Sequence, residues 1–344
     1  MIPGTSVIRQ ATWRTELAGA ICDPKELLEA LELPADLLAG AQTAHGLFPL
    51  RVPRPYLARM VRGDPYDPLL RQVLPLGIEG ALAPGYSTDP VGDLAAHVAT
   101  GVLHKYEGRV LLTATGACAI HCRYCFRRHF PYGEANAARD HWRPALAYLA
   151  EDLSLHEVIL SGGDPLTLSD DKLAAFACAL QTLPHIKRLR LHTRVPVVVP
   201  SRVDAELLAW LKDAPLPVVM VLHINHAQEI DAAVQESCAK LREVRVTLLN
   251  QTVLLAGVND NADTLATLSE RLFDVGILPY YLHMLDHVSG AAHFAVDEGR
   301  AIGLMEALRN RLPGYLVPRL VQEEILAPAK VPVPAPVGGV ACCR

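Results

Sequence analysis

Cys118, Cys122 and Cys125 fall four and then three residues apart, directly after an apolar run at 109–115. Thiolates this close on one loop can hold three irons of a cubane [4Fe–4S] cluster, whereas full protein ligation takes four cysteines. The fourth iron would then be open to a ligand that is not protein, and that open iron is the candidate functional centre. A structural zinc site short of one ligand, or three plain buried thiols, would use the same residue types. The other five cysteines, Cys22, Cys178, Cys238, Cys342 and Cys343, are scattered and read as core or tail residues. The vicinal pair Cys342–Cys343 has the chemistry to bind metal or oxidise.

The elements that must position this loop begin near residue 105, where apolar strands start to alternate with helices. The strand candidates are 110–115, 157–160, 188–193, 218–224, 244–249 and 278–284; helical stretches lie near 140–151, 170–182, 203–213, 228–242, 262–275 and 297–311. Six β-α units in series predict an α/β fold with a parallel sheet and outer helices, curled by right-handed crossovers into a partial barrel. Chemistry in such a fold belongs at the carboxyl ends of the strands. Those ends here carry the cysteines, Ser161-Gly162-Gly163-Asp164, His192-Thr193-Arg194, His223-Ile224-Asn225-His226, Asn250-Gln251 and His283-Met284-Leu285-Asp286. A pocket at that rim is expected.

Residues 1–104 carry no strong strand pattern. Amphipathic helices are expected near Trp13 and after the Asp23-Pro24 cap, followed by a stretch broken by five prolines between 53 and 75. This reads as a helical N-terminal extension wrapping the barrel at 105–311. A C-terminal segment, 312–344, follows, with a mobile tail rich in Pro, Gly and Val. At 344 residues, 51% hydrophobic and 20% charged, the composition is that of a folded globular chain. A net charge of −5 lacks the basic surplus of a nucleic-acid binder. No apolar run reaches the ~18 residues of a membrane span, and the start has no signal-peptide pattern. Sparse cysteines with three in one loop suggest metal chemistry in a reducing cytoplasm.

The C-x3-C-x2-C spacing, with an aromatic residue before the last cysteine, resembles the radical S-adenosylmethionine (SAM) enzymes. Longer stretches resemble the lysine 2,3-aminomutase family within them: 122–128, Ser-Gly-Gly-Asp-Pro-Leu at 161–166, His-Ile-Asn-His at 223–226, 249–255 and Pro-Tyr-Tyr-Leu-His at 279–283. The likeness runs over roughly residues 45 to 330. The lead-in after Thr12 and Leu103-His104-Lys105-Tyr106 are most similar to the branch that makes β-lysine for elongation factor P. The resemblance implies that Cys118, Cys122 and Cys125 hold the cluster and that SAM chelates the open iron. It implies SAM contacts from Gly162, Gly163, Asp164 and His223. It further implies pyridoxal phosphate (PLP) held as a Schiff base on Lys330, with Arg109 on its phosphate and Gln251 near its ring. Glycines that often precede this lysine in the family are replaced here by Ala327-Pro328-Ala329.

For the substrate, the resemblance implies Arg127 on the carboxylate of L-lysine and Asp286 with Glu323 on its ε-ammonium, Glu323 standing where an aspartate is usual. Two acids converging on one cation would select lysine over a neutral amino acid, because an unmatched buried charge is costly. The implied reaction is 2,3-migration of the amino group to give β-lysine, in the R form by likeness to the elongation-factor branch. It is started by a 5′-deoxyadenosyl radical from SAM. Implied partners are an electron donor such as flavodoxin or ferredoxin, a ligase that attaches β-lysine to elongation factor P, and a second copy in a homo-oligomer. A catabolic free-lysine aminomutase and a non-catalytic metal-binding barrel are the alternatives.

Overall fold

A single ten-stranded sheet runs in strict chain order. Its strands are β1 (His97–Ala99), β2 (Val102–Tyr106), β3 (Arg109–Thr115), β4 (Glu157–Gly162), β5 (Arg188–Thr193), β6 (Val218–Leu222), β7 (Thr247–Val253), β8 (Leu278–His283), β9 (Arg319–Gln322) and β10 (Val331–Pro332). The computed structural model describes residues 12–325 and 327–333; the tail, with Cys342 and Cys343, lies outside the described residues. Strands β3 to β9 are all parallel, while β1–β2–β3 at one edge and β9–β10 at the other pair antiparallel. An α/β partial barrel results, as expected, with the six units at the expected places.

Helices Trp13–Ala18, Pro24–Ala30, Leu37–Leu47, Arg54–Leu57 and Pro68–Arg71 precede the sheet. The crossovers are carried by Arg143–Glu151, Asp170–Leu180, Ala205–Lys212, Ala232–Glu243, Ala262–Asp274 and Glu298–Arg311. The last four each start on an Asp or Asn whose side chain accepts from the backbone N–H three residues on, satisfying a donor the helix leaves orphaned. Covered on both faces, β4 is buried at five of its six residues. One large apolar core joins strands, outer helices and the N-terminal helices.

Three expectations change. The fifth strand starts three residues late because Val244 still caps its helix and Arg245 turns the chain at φ +65°. The boundary at 104/105 cuts through β2, a strand whose Leu103 pairs with Leu111 of β3. The segment after 311 also joins the sheet, since β9 pairs with β8 as a seventh parallel strand.

Candidate active site

Cys118, Cys122 and Cys125 follow β3 on a loop that the N-terminal extension holds from behind. Arg123, fully buried, donates to Glu79 at 2.8 and 2.5 Å and to the carbonyl of Phe48 at 2.7 Å, while Arg128 donates to the same Glu79 at 2.8 Å. From the barrel side Arg194 donates to Cys122 Sγ at 2.8 Å, Tyr124 Oη at 2.9 Å, Gln72 at 2.6 Å and Glu229 at 2.9 Å. Burial pushes the Cys118 thiol up and Cys125 up to about 11, so iron must displace protons to bind. The three sulfurs do not converge within 4.8 Å of one another. One zinc ion with Zn–S near 2.3 Å would need that convergence, and a cubane, which spaces its thiolates on separate irons, does not.

Gly162 and Gly163 let the start of this loop press against the end of β4. A Cβ on Gly163 would lie 2.2 Å from the carbonyl oxygen of Ala117, and Gly162 sits at φ +102°. Asp164 comes next, and its carboxylate is already committed to the protein: Oδ1 accepts from Thr193 and Leu166, Oδ2 from the backbone N–H groups of Arg194 and Val195. Contact with a ligand is therefore left to its main chain. Burial raises its carboxyl to about 6 against those four bonds.

The residues to which the resemblance gives a cluster, cofactor or substrate role all border one cavity of about 270 Å³: the three cysteines, Arg109, Arg127, Gly162, Gly163, Asp164, His223, Gln251, Asp286, Glu323 and Lys330. The site is deeper than a rim, however. Arg109 opens β3 and Cys118 follows its end, so the cavity follows a strand of roughly 20 Å at ~3.3 Å per residue. Polar side chains take the place of a packed lumen: Arg190 and His192 from β5, Gln251 from β7, and Tyr281 and His283 from β8. The N-terminal extension contributes Phe48, Val91 and Asp93 to the wall, so it is part of the site as well as its wrapping.

Charges are arranged along this cavity. Arg127 donates through Nε to Asp93 at 2.6 Å and through a terminal nitrogen to Ser161 at 3.2 Å. The β9–β10 hairpin pairs Gln322 with Val331, which sets Glu323 opposite Lys330; their side chains meet at 2.6 Å. Glu323 also accepts from Tyr106 and lies 3.8 Å from Lys105. Burial would raise its carboxyl, but Lys330 and Tyr106 hold it below the usual value. Asp286 has no side-chain hydrogen bond or ion pair among the described residues. Burial pushes it up to about 7, with Lys330 opposing and Glu323 adding to the rise.

His192 and His283, expected among the strand-end residues at the rim, do line the cavity, whereas Arg190 and Tyr281, two residues before them on the same strands, were missed although a period of two puts them on the same face. The Nε2 atoms of His192, His223 and His283 are buried with no partner among the described residues. Burial is the main cause that lowers all three, His223 to about 4, so they present neutral polar nitrogens to whatever fills the cavity. Arg109 likewise has no ion pair or hydrogen bond from its guanidinium among the described residues and lies 4.6 Å over the Tyr106 ring. A free guanidinium suits a phosphate, orphaned nitrogens suit polar ligands, and Lys330 offers an amine. The residues present thus fit a cluster, SAM and PLP.

Residues 112–268 match the radical SAM superfamily. The chain is 50% identical over 323 residues to L-lysine 2,3-aminomutase of Escherichia coli, covering 93% of this chain and 94% of that protein. With the enzyme of the same name from Haemophilus influenzae it shares 48% over 324 residues, 94% and 96% of the two chains. With that from Clostridium subterminale it shares 32% over 323 residues, 93% of this chain and 77% of the other. Likeness of this extent over nearly the whole length makes the chain a member of the L-lysine 2,3-aminomutase family of radical SAM enzymes.

Proposed function

We propose that the chain converts L-lysine to (R)-β-lysine with a [4Fe–4S] cluster on Cys118, Cys122 and Cys125, SAM, and PLP on Lys330. The observation that carries this reading is the meeting of the cysteine loop, a guanidinium clamp, two carboxylates and a lysine amine on one cavity. When bound, the cluster and SAM supply a hydrogen-abstracting radical, and PLP supplies the conjugated aldehyde that takes up the migrating amino group.

The chain's own part is placement. Arg127 orients the substrate carboxylate with its remaining N–H donors, while Asp93 and Ser161 fix the guanidinium plane. Asp286 receives the ε-ammonium, which draws the proton off a carboxyl poised near 7. Glu323 becomes available for the same ammonium once Lys330 turns to PLP. Arg109 grips the phosphate, Gln251 lies along the PLP ring, and His223 with the Gly162-Gly163-Asp164 main chain contacts SAM. The walls exclude water from the radical.

Likeness in length and identity to the E. coli and H. influenzae proteins supports the elongation-factor branch, in which a ligase consumes the product. Flavodoxin or ferredoxin would supply the electron in a reducing cytoplasm. Among the described residues no helix is long and apolar enough to cross a membrane.

Anaerobic incubation with L-lysine, SAM, PLP and dithionite, followed by chiral analysis, tests the reaction; a product other than β-lysine would refute it. Replacing Lys330 by Ala is expected to abolish the Schiff-base absorbance of added PLP. Its persistence would remove Lys330 as the anchor.

A further inference from the structure

Asp93 lies in no motif, and Lys105 lies in the Leu103-His104-Lys105-Tyr106 stretch without a role assigned to it, yet together they join the two charged ends of the cavity. Asp93 sits on the loop before β1, 2% exposed, its backbone N–H tied to the carboxylate of Asp89 at 2.8 Å. One of its oxygens takes the Arg127 Nε at 2.6 Å and the other meets Lys105 Nζ at 2.6 Å. Lys105, from β2, also donates to the carbonyl of Val91 at 2.7 Å and stands 3.8 Å from Glu323. The result is an alternating run of four charges, cation–anion–cation–anion, in which each inner member touches both neighbours.

We infer that Asp93 and Lys105 position substrate lysine indirectly, as the middle of an Arg127–Asp93–Lys105–Glu323 chain that fixes the separation between the carboxylate clamp and the ammonium site. This rests on the reading of the cavity as a lysine pocket. The physical reason is rigidity. Arg127 on its own has free torsions, but a guanidinium held through Nε by a buried carboxylate can present its outer N–H groups in one plane only. That carboxylate is in turn held by an ammonium whose third contact is a backbone carbonyl. Neither Asp93 nor Lys105 touches the reacting atoms in this arrangement; both act through the residues that do. The spacing they set discriminates chain length, since a shorter diamino acid cannot reach both ends at once.

The test uses enzyme loaded with cluster, SAM and PLP, assayed on L-lysine and on L-ornithine, which is one methylene shorter. Lys105→Met keeps the stem and removes the charge. It is expected to raise the lysine KM about ten-fold, to change kcat by less than about three-fold, and to cut the lysine-over-ornithine ratio of kcat/KM about ten-fold, with Lys105→Arg restoring most of that ratio. The same order is read at equilibrium, without reductant, from the lysine-dependent change in PLP absorbance. Asp93→Asn strips a buried arginine of its partner, so its iron and PLP contents are measured before its kinetics, and Lys105→Met decides the case if it does not load. An unchanged ratio in a fully loaded Lys105→Met enzyme, or equal losses on both substrates that arginine does not relieve, overturns the inference alone. Absence of lysine turnover by the unsubstituted enzyme defeats the lysine reading, and this inference with it.

Discussion

Asp286 has no side-chain partner among the described residues, and that makes its cost measurable. Its carboxyl stands at about 7 against an ordinary 3.8 because burial disfavours the charge, with Lys330 and Lys105 pulling it down and Glu323 and Asp93 pushing it up. Between those two values the folded chain keeps a proton that the unfolded chain has released. Stability therefore falls as pH rises through that window and levels off above about 7. At 1.36 kcal/mol per pH unit, the full span from 3.8 to about 7 costs about 4 kcal/mol. Water reaching the open cavity lowers that figure. About 2 kcal/mol of it is incurred between pH ~5.5 and pH 7, since half the window is already crossed at the lower value. Asparagine has the shape of the protonated acid and does not ionise. Asp286→Asn is therefore expected to stabilise the cofactor-free chain, by about 2 kcal/mol more at pH ~8.5 than at pH ~5.5. Urea denaturation of both chains at the two pH values reads this directly. The same variant should lose most of its affinity for lysine. A gap between the two chains that stays constant with pH would mean that Asp286 faces water as an ordinary carboxylate, and would remove it from the ammonium site.

Two further substitutions test the support of the cluster loop. Glu79→Gln leaves Arg123 and Arg128 buried without a counter-charge, which is expected to cost about 3–5 kcal/mol by chemical denaturation and to lower iron content on reconstitution. Retention of both would show that the N-terminal extension does not hold the loop. Gly163→Ala sets a methyl group 2.2 Å from the Ala117 carbonyl, so it is expected to impair iron loading while far-ultraviolet circular dichroism stays close to normal. Full iron content in that variant would refute the packing role assigned to the glycine.

What could be read from the sequence was local. The cysteine triplet, the apolar strands and the seven-residue gap between Glu323 and Lys330 are spacings within one loop, one strand or one hairpin, and the fold keeps them together. The pairings of Asp93 and of Arg194 were invisible for the opposite reason. Asp93 lies in an aperiodic stretch and meets Arg127 from 34 residues away, while Arg194 reaches Gln72 across 122. Neither pairing leaves a periodicity. Arg109 and Asp164 show a subtler limit. A side chain's type suggests what it would bind, but not whether its hydrogen-bonding capacity is already used. Asp164 proved fully engaged by backbone and threonine, and Arg109 proved to have no guanidinium partner among the described residues.

The Lys330–Glu323 pair bears on how the cavity carries its acidic side chains. Asp164 is held by four hydrogen bonds, and the other three carboxylates cannot all be left charged and bare in a low-dielectric cavity. Asp93 is matched by Arg127 and Lys105, Glu323 by Lys330, and Asp286 avoids the problem by holding its proton near neutral pH. On the proposed reading, a Lys330 engaged with PLP would no longer hold its ammonium against Glu323, and the ε-ammonium of lysine would be the natural replacement. That same ammonium would stabilise the charged form of Asp286. On this reading Glu323 is vacated by cofactor binding and Asp286 is ionised by substrate arrival, so the full negative site exists only when both are present. A neutral amino acid of equal length would bring no charge to either carboxylate, leaving Asp286 protonated and Glu323 bare. Selection for lysine then follows from the order of charging as much as from the fit of the pocket.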